Sequence, residues 1–367
     1  MMNDNNNVTI IAEAGVNHNG DRDTAFALVD VAAASGASAV KFQTFNARRL
    51  AAGAPKADYQ KTSGTENESQ QEMLARLELP ESWHGDLQRH ARSQGIEFLS
   101  TAFDLQSFRF LRSLDLPVYK VPSGELTNAP LLWAFANSQV PLIVSTGMAT
   151  LGEVEQALAV LAHGYCHDRE PGSVAEIWQH WSQSSALEAL RGKVTLLHCT
   201  SQYPVALEEV NLAAMDTMAT TFRLPVGYSD HTLGVAIPVA AVARGARVIE
   251  KHFTLDRSMP GPDHRASLEP DELTDMVRQI RTVEAALGTG LKRVQPSEWN
   301  TRQAARQQLI AARPIRRGQV LGHEDLATAR AGQGLSPVRF WDLVGRVADQ
   351  DYAPGEVITT AGGNHDV

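Results

Sequence analysis

The chain has 367 residues, 43% of them hydrophobic and 20% charged, the balance of a soluble globular protein with a substantial core. Lysine and arginine number 33 against 42 aspartates and glutamates, and the net charge of −9 argues against the basic surface of a general nucleic-acid binder. An anionic substrate would have to be captured by local lysines, because the overall field repels it.

The length suggests one large domain plus a small one. Cys166 and Cys199 have neither CxxC spacing nor disulfide density, and read as inert thiols of a reduced compartment. The opening MMNDNNNVTI lacks the charged and apolar regions of a signal peptide, and no apolar stretch is long enough to span a bilayer. The expectation is a soluble cytoplasmic protein with no membrane or nucleic-acid partner.

Short β-branched apolar runs, each ending in a polar or glycine-containing turn, predict strands. The first is VTIIAEAG (8–15), followed by helical spacing over Thr24–Ser35. AVKFQTF (39–45) comes next. A long polar excursion over 46–80 follows it, with Lys56, Tyr59, Gln60 and Lys61 ahead of Glu68–Met73, and reads as a lid or interface segment. Then come EFLSTAF (97–103), VYKVPSG (118–124) and PLIVSTG (141–147). Residues 163–192 read as an extra helical insertion, with His163, His167 and His180 on its surface. VTLLHCT (194–200), PVGYSDH (225–231) and RVIEKHF (247–253) complete the series, and Leu273–Leu287 has helical spacing again. Strands alternating with helices mean parallel pairing with helical crossovers, and this repeat matches an α/β fold of the (β/α)8 TIM-barrel kind over 1–287. A doubly wound open sheet is the alternative. A Gly-, Pro- and Ser-rich linker is expected over 288–305, and a small turn-rich domain over 306–367, near the lower size limit for folding alone.

In a barrel of this type the site lies at the C-terminal strand ends. Those ends carry Glu13, Lys41, Gln43, Thr101, Lys120, Ser123, Thr146, His198, Ser229, His231, Glu250 and His252, with Glu125 just beyond the fourth strand. The i, i+2 pairs Lys41/Gln43, Ser229/His231 and Glu250/His252 can each point the same way. Ionisable groups in a barrel interior are costly unless paired or ligand-bound, so a site explains them better than packing does. Lys41, Thr101, Lys120 and Ser123 make a cradle for a small phosphorylated anion. His231 and His252 end neighbouring strands. They could share a manganese- or magnesium-like divalent ion completed by water and substrate oxygen, with cobalt a further alternative, rather than a structural zinc. The other reading is a pair of hydrogen-bonded core histidines.

The motifs IAEAGVNHNGD (11–21), VKFQTF (40–45), STAFD (100–104), KVPSGELTN (120–128), STGMATLGEVEQAL (145–158), LLHCTSQYP (196–204), VGYSDHTLG (226–234) and IEKHFTLDRSMPGPDHRASLEP (249–270) resemble the sialic acid synthase family. That family includes synthases of N-acetylneuraminic and legionaminic acids. The resemblance runs over about residues 8–360, and its last part is similar to an antifreeze-like SAF domain. It implies attack of C3 of phosphoenolpyruvate on the open-chain aldehyde of N-acetylmannosamine or a related N-acetylated hexosamine, with water adding at C2 and phosphate leaving. It places Lys41, Thr101, Lys120, Ser123 and Ser229 on phosphoenolpyruvate, and Glu13, Gln43, Tyr203, Glu250, Asp263 and Glu125 around the sugar and the reacting water. Glu13, Glu250 and Lys120 become the catalytic candidates, and His231 and His252 the metal ligands. It further implies a domain-swapped homodimer in which Arg330 reaches the partner's sugar. ARAGQGLSP (329–337) keeps that arginine but has Ala329 and Ala331 where the commoner pattern has lysine and proline, and Ser201 stands where some relatives have asparagine.

Two rival functions fit parts of the sequence. The first is another metal-dependent barrel lyase or aldolase acting on a 2-keto acid; the Schiff-base kind needs one desolvated lysine of neutral pKa, whereas Lys41 and Lys120 look like anion clamps. A non-catalytic carbohydrate-binding or ice-surface-binding protein would leave the ionisable strand ends without purpose.

Overall fold

The computed structural model describes residues 7–51 and 69–359; Lys56, Tyr59, Gln60, Lys61 and Glu68 lie outside them. The chain divides into two compact units, 1–288 and 289–367.

The first unit is a closed parallel barrel of eight strands in sequential order. They are β1 (Thr9–Gly15), β2 (Ala39–Thr44), β3 (Glu97–Ala102), β4 (Tyr119–Val121), β5 (Leu142–Ser145), β6 (Val194–His198), β7 (Val226–Asp230) and β8 (Val248–His252). β1 pairs with both β2 and β8, which closes the ring. Gly227 makes the close approach of β7 to β8 possible, since a Cβ there would stand 2.3 Å from the Val248 carbonyl oxygen.

The period of two along each strand sorts the barrel interior into layers. Ile11, Ala39, Leu99, Val118, Ile143, Leu197 and Val248 form one apolar cluster. Two residues further along the same strands or just past them stand Glu13, Lys41, Thr101, Lys120, Ser145, Cys199 and Glu250. The barrel is therefore plugged below by aliphatic side chains and floored above by polar ones. The outward faces pack on the helices in the main core, where Phe42, Phe98, Phe108, Phe135, Tyr228 and Phe253 are almost wholly buried.

The long excursion after β2 contains helices Ala47–Leu50 and Gln70–Arg76 among its described residues. The second is held by a capping box between Ser69 and Glu72 and buries Met73 against Val16, Phe45 and Leu77. The insertion before β6 is helical, with Val174–Trp181 and Ser184–Leu190 following the long helix Leu151–Cys166. Its histidines correct the surface reading: His163 and His180 are buried, and the His163 and His167 rings stack with centroids 4.2 Å apart. His167 caps the long helix, its backbone N–H donating to the His163 carbonyl at 2.9 Å, and so its ring lies beside His163 on the helix's C-terminal face. The insertion helix lays His180 over that face, its ring centroid 4.8 Å from His167. No helix among the described residues is long and apolar enough to cross a membrane.

The second unit has its own core of Leu309, Ala311, Ile315, Leu321, Leu326, Leu335, Leu343, Ala348, Tyr352 and Ile358. Among its described residues the one regular ladder pairs β9 (Gln308–Ala311) with β10 (Leu326–Ala329) antiparallel.

Candidate active site

The C-terminal ends of the barrel strands open into a cavity of about 600 Å³. Glu13, Lys41, Gln43, Thr101, Lys120, Ser123, Glu125, Tyr203, Ser229, His231, Glu250, His252 and Asp263 all line it. Thr146 and His198 do not. The Thr146 hydroxyl donates to the Leu197 carbonyl at 2.9 Å, and His198 Nε2–H donates to the Val210 carbonyl at 2.8 Å.

Two buried lysines and two buried carboxylates form the floor. Barrel register sets Glu13 beside Lys41 on β1 and β2, and Lys41 Nζ stands 2.7 Å from Glu13 Oε2. The same ammonium donates to the Thr101 hydroxyl at 2.8 Å and lies 3.6 Å from Glu250. From across the barrel, Lys120 Nζ donates to both Glu250 oxygens at 2.8 and 3.1 Å. Ser229, the ladder partner of Glu250, donates to it at 2.8 Å. The two carboxylates do not titrate alike. Burial raises Glu13 to about 7 against the pull of Lys41, and the charge of Glu250 adds to the rise. Burial would raise Glu250 too, but Lys120 and Lys41 outweigh it and hold that carboxyl well below the usual range. Burial opposes the charge on Lys41 as well, yet Glu13 and Glu250 raise it above the ordinary lysine value.

His231 and His252 face each other with ring centroids 5.7 Å apart, and the Tyr203 ring lies 4.1 Å from that of His231. His231 Nδ1 bonds the Thr200 carbonyl at 2.6 Å; a carbonyl only accepts, so Nδ1 carries the proton and Nε2 keeps its lone pair. His252 Nδ1 is buried without a hydrogen-bond partner among the described residues, 3.8 Å from Asp263. Burial lowers the pKa of both imidazoles, and His231 and Lys41 lower that of His252 further. Asp263 is pushed up to about 6 by burial. Neutral rings with a free lone pair and a buried nitrogen unpartnered among the described residues would supply two of the ligands of a divalent ion, the rest left to water and substrate, since no group of three or more His, Cys, Asp or Glu among the described residues could hold one. Gly15 keeps room for this: a Cβ there would press to 3.1 Å on the His252 ring.

A family model described as the NeuB family matches residues 28–292. The chain belongs to the NeuB family. A second model, the SAF domain, matches 306–362. N,N'-diacetyllegionaminic acid synthase from Campylobacter jejuni is 45% identical over 350 residues, covering 95% of this chain and 98% of that one. The Legionella pneumophila protein of the same name is also 45% identical, over 95% of this chain and 92% of its own. Among solved structures, N-acetylneuraminic acid synthetase from Leptospira borgpetersenii superposes with a TM-score of 0.66 at 31% identity, covering 82% of this chain and 92% of that one.

This NeuB-family site also contains residues that sequence reasoning passed over. Cys199, read as inert, is buried in the cavity wall with Sγ 3.2 Å from the Ser123 hydroxyl. Gly147 donates its backbone N–H to that hydroxyl at 3.0 Å, and a Cβ there would collide with Ser201 Oγ at 2.3 Å. Leu50, Met73, Leu74, Leu77 and Phe103 make one side of the cavity apolar. A signal existed for Cys199, which stands in register with the other strand-end residues. For the helix Gln70–Arg76 the signal was the long excursion over 46–80, read as a lid or interface segment; that Met73 and Leu74 would turn an apolar side to the cavity was not legible in a largely polar run. Glu125 lines the cavity and accepts from Asn128 at 2.6 Å. Arg330 is exposed in the second unit, immediately after β10.

Proposed function

We propose that the protein condenses phosphoenolpyruvate with the open-chain aldehyde of an N-acetylated amino sugar, releasing phosphate and a nonulosonic acid. The carrying observation is the buried floor in which Lys41 and Lys120 are held against Glu13 and Glu250 beside two neutral histidines. C3 of phosphoenolpyruvate forms the new bond to the aldehyde carbon, water adds at C2, and the C2–O bond to phosphate breaks. Lys41, Lys120, Thr101, Ser123 and Ser229 supply the cations and hydroxyls that bind and orient the phosphorylated acid. Glu250, kept ionised by its lysines, accepts a proton, while Glu13, raised towards neutrality, can carry one to the developing alkoxide. Gln43, Glu125, Tyr203 and Asp263 surround the sugar.

His231 and His252 would hold the divalent ion, manganese in the first place, with magnesium or cobalt as substitutes. When bound, the ion supplies Lewis-acid polarisation of the aldehyde oxygen.

For the acceptor we favour 2,4-diacetamido-2,4,6-trideoxymannose over N-acetylmannosamine. The two relatives at 45% identity are named for the diacetyllegionaminic product. The apolar side of the cavity suits a sugar with a methyl group at C6 and a second acetamido methyl. The working unit in this reading is a domain-swapped homodimer with Arg330 reaching the partner's sugar. Phosphate release that requires both phosphoenolpyruvate and an amino sugar tests the whole; release without sugar, or none with any acceptor, refutes it.

A further inference from the structure

The β7–β8 ladder ends on a charged rung. Its register runs Tyr228–Ile249, Ser229–Glu250 and Asp230–Lys251, and there it stops. The next residue on each strand is an imidazole, His231 and His252, so no β7–β8 backbone bond fixes their separation. Alternation turns Ser229, His231, Glu250 and His252 into the cavity and Asp230 and Lys251 outward, towards the helix layer. Both outward residues are 1% exposed. Lys251 Nζ bonds Asp230 Oδ2 at 2.5 Å and also the Thr232 carbonyl. Asp230 in turn accepts from the Thr232 N–H and hydroxyl, each at 3.0 Å. These bonds bracket His231: Asp230 before it and Thr232 after it are tied together, and Lys251 ties both to the strand that carries His252.

Burying both charges is expensive, and two apolar side chains of similar size would join the strands at least as well. What the charged rung adds is directional geometry at the point where the ladder gives out.

We propose that Lys251 is a positioning residue that acts through Asp230 and Thr232 to set the His231–His252 spacing, and thereby the affinity of the pair for a divalent cation. This rests on the metal reading above. The full-length chain, freed of metal, is titrated with manganese alone, with free ion read by electron paramagnetic resonance and unfolding of the metal-free protein followed in parallel. Lys251→Met strands a buried carboxylate, so the informative variant is Asp230→Asn with Lys251→Met, which keeps an acceptor for the Thr232 N–H and removes only the cross-strand link. Its expected affinity for manganese is lower by about 10–100-fold, with the thermal midpoint close to wild type. Lys251→Arg, which retains the cation, recovers most of the affinity. A folded double variant that binds manganese as tightly as wild type overturns the proposal, as does a lowered midpoint with unchanged affinity. If wild type binds no manganese, or His252→Ala binds it equally well, the metal reading falls and the positioning role falls with it.

Discussion

Lys41 Nζ lies 2.7 Å from Glu13 Oε2 on neighbouring strands, and each side chain is 3% exposed. The lysine is thus no bare clamp waiting for an anion: in the free protein its charge is already matched, and substrate binding redistributes an existing network. If Lys41 holds phosphoenolpyruvate, replacing it with methionine removes one charge-assisted contact worth roughly 1.5–3 kcal/mol, and KM for that substrate should rise about 10–100-fold. Glu13, already pushed up to about 7 by burial, takes a proton when its cation is lost, and the fold survives. Steady-state kinetics with a circular-dichroism control decide the matter; an unchanged KM and kcat would move Lys41 out of the site.

Chelation should silence the enzyme, and manganese should restore it. His252→Ala should be equally inactive while remaining folded if the ring serves as a ligand more than as packing: its buried Nδ1 has no hydrogen-bond partner among the described residues. Full activity after exhaustive dialysis against chelator, with metal content verified as nil, would refute the Lewis-acid role.

Acid should destabilise the barrel well above the range of its carboxylates. His18 and His84 are buried, and burial lowers each to about 4. Between pH 6.5 and 4 the unfolded chain takes up protons that the folded chain refuses. Stability is therefore fully present above about 6.5 and is lost as pH falls towards 4, by about 2 kcal/mol per histidine at pH 5. Urea unfolding at pH 7, 6 and 5 reads this. In His84→Gln, whose side chain can still bond Thr44, the slope with pH should become shallower; an equally steep slope would assign the acid sensitivity elsewhere.

The strands and the inward set were legible because both rest on a period of two and on the rule that sites open at C-terminal barrel ends. Lys41/Gln43, Ser229/His231 and Glu250/His252 line one cavity. Pairing was not legible. That Lys41 meets Glu13, and Lys120 meets Glu250 from across the barrel, depends on register and curvature that no local pattern encodes. The same holds for Asp230 and Lys251: the sequence sets each beside a histidine and gives no sign that the two are buried against each other. His163 and His180 misled for the opposite reason: a polar-looking insertion folds back and covers them.

Acceptor choice should respond to the apolar side of the cavity. Leu74 is partly buried there, and Leu74→Gln puts an amide where a sugar methyl would rest. Discrimination by a methyl-sized contact is worth 10-fold or somewhat more. The variant should lose roughly 10-fold in kcat/KM for 2,4-diacetamido-2,4,6-trideoxymannose and little for N-acetylmannosamine. Equal losses on both sugars would remove Leu74 from the specificity wall.

Arg330 gives the test of the assembly. It is exposed in the second unit, in a chain whose SAF match begins only at residue 306, after a stretch with no strand of its own between 288 and 305. If the homodimer is swapped, the arginine serves the partner's sugar. Arg330→Ala and His252→Ala are prepared separately, each nearly inactive, then unfolded together in equal amounts and refolded. In a mixed dimer acting in trans, one site carries both lesions and the other neither. Half of randomly paired dimers are mixed, so roughly a quarter of wild-type sites return. Acting in cis, every site keeps one lesion and the mixture stays inactive. Subunit exchange is verified by differential tagging, so a silent mixture with confirmed exchange refutes the swap, whereas recovery near one quarter places Arg330 on the opposite protomer's substrate.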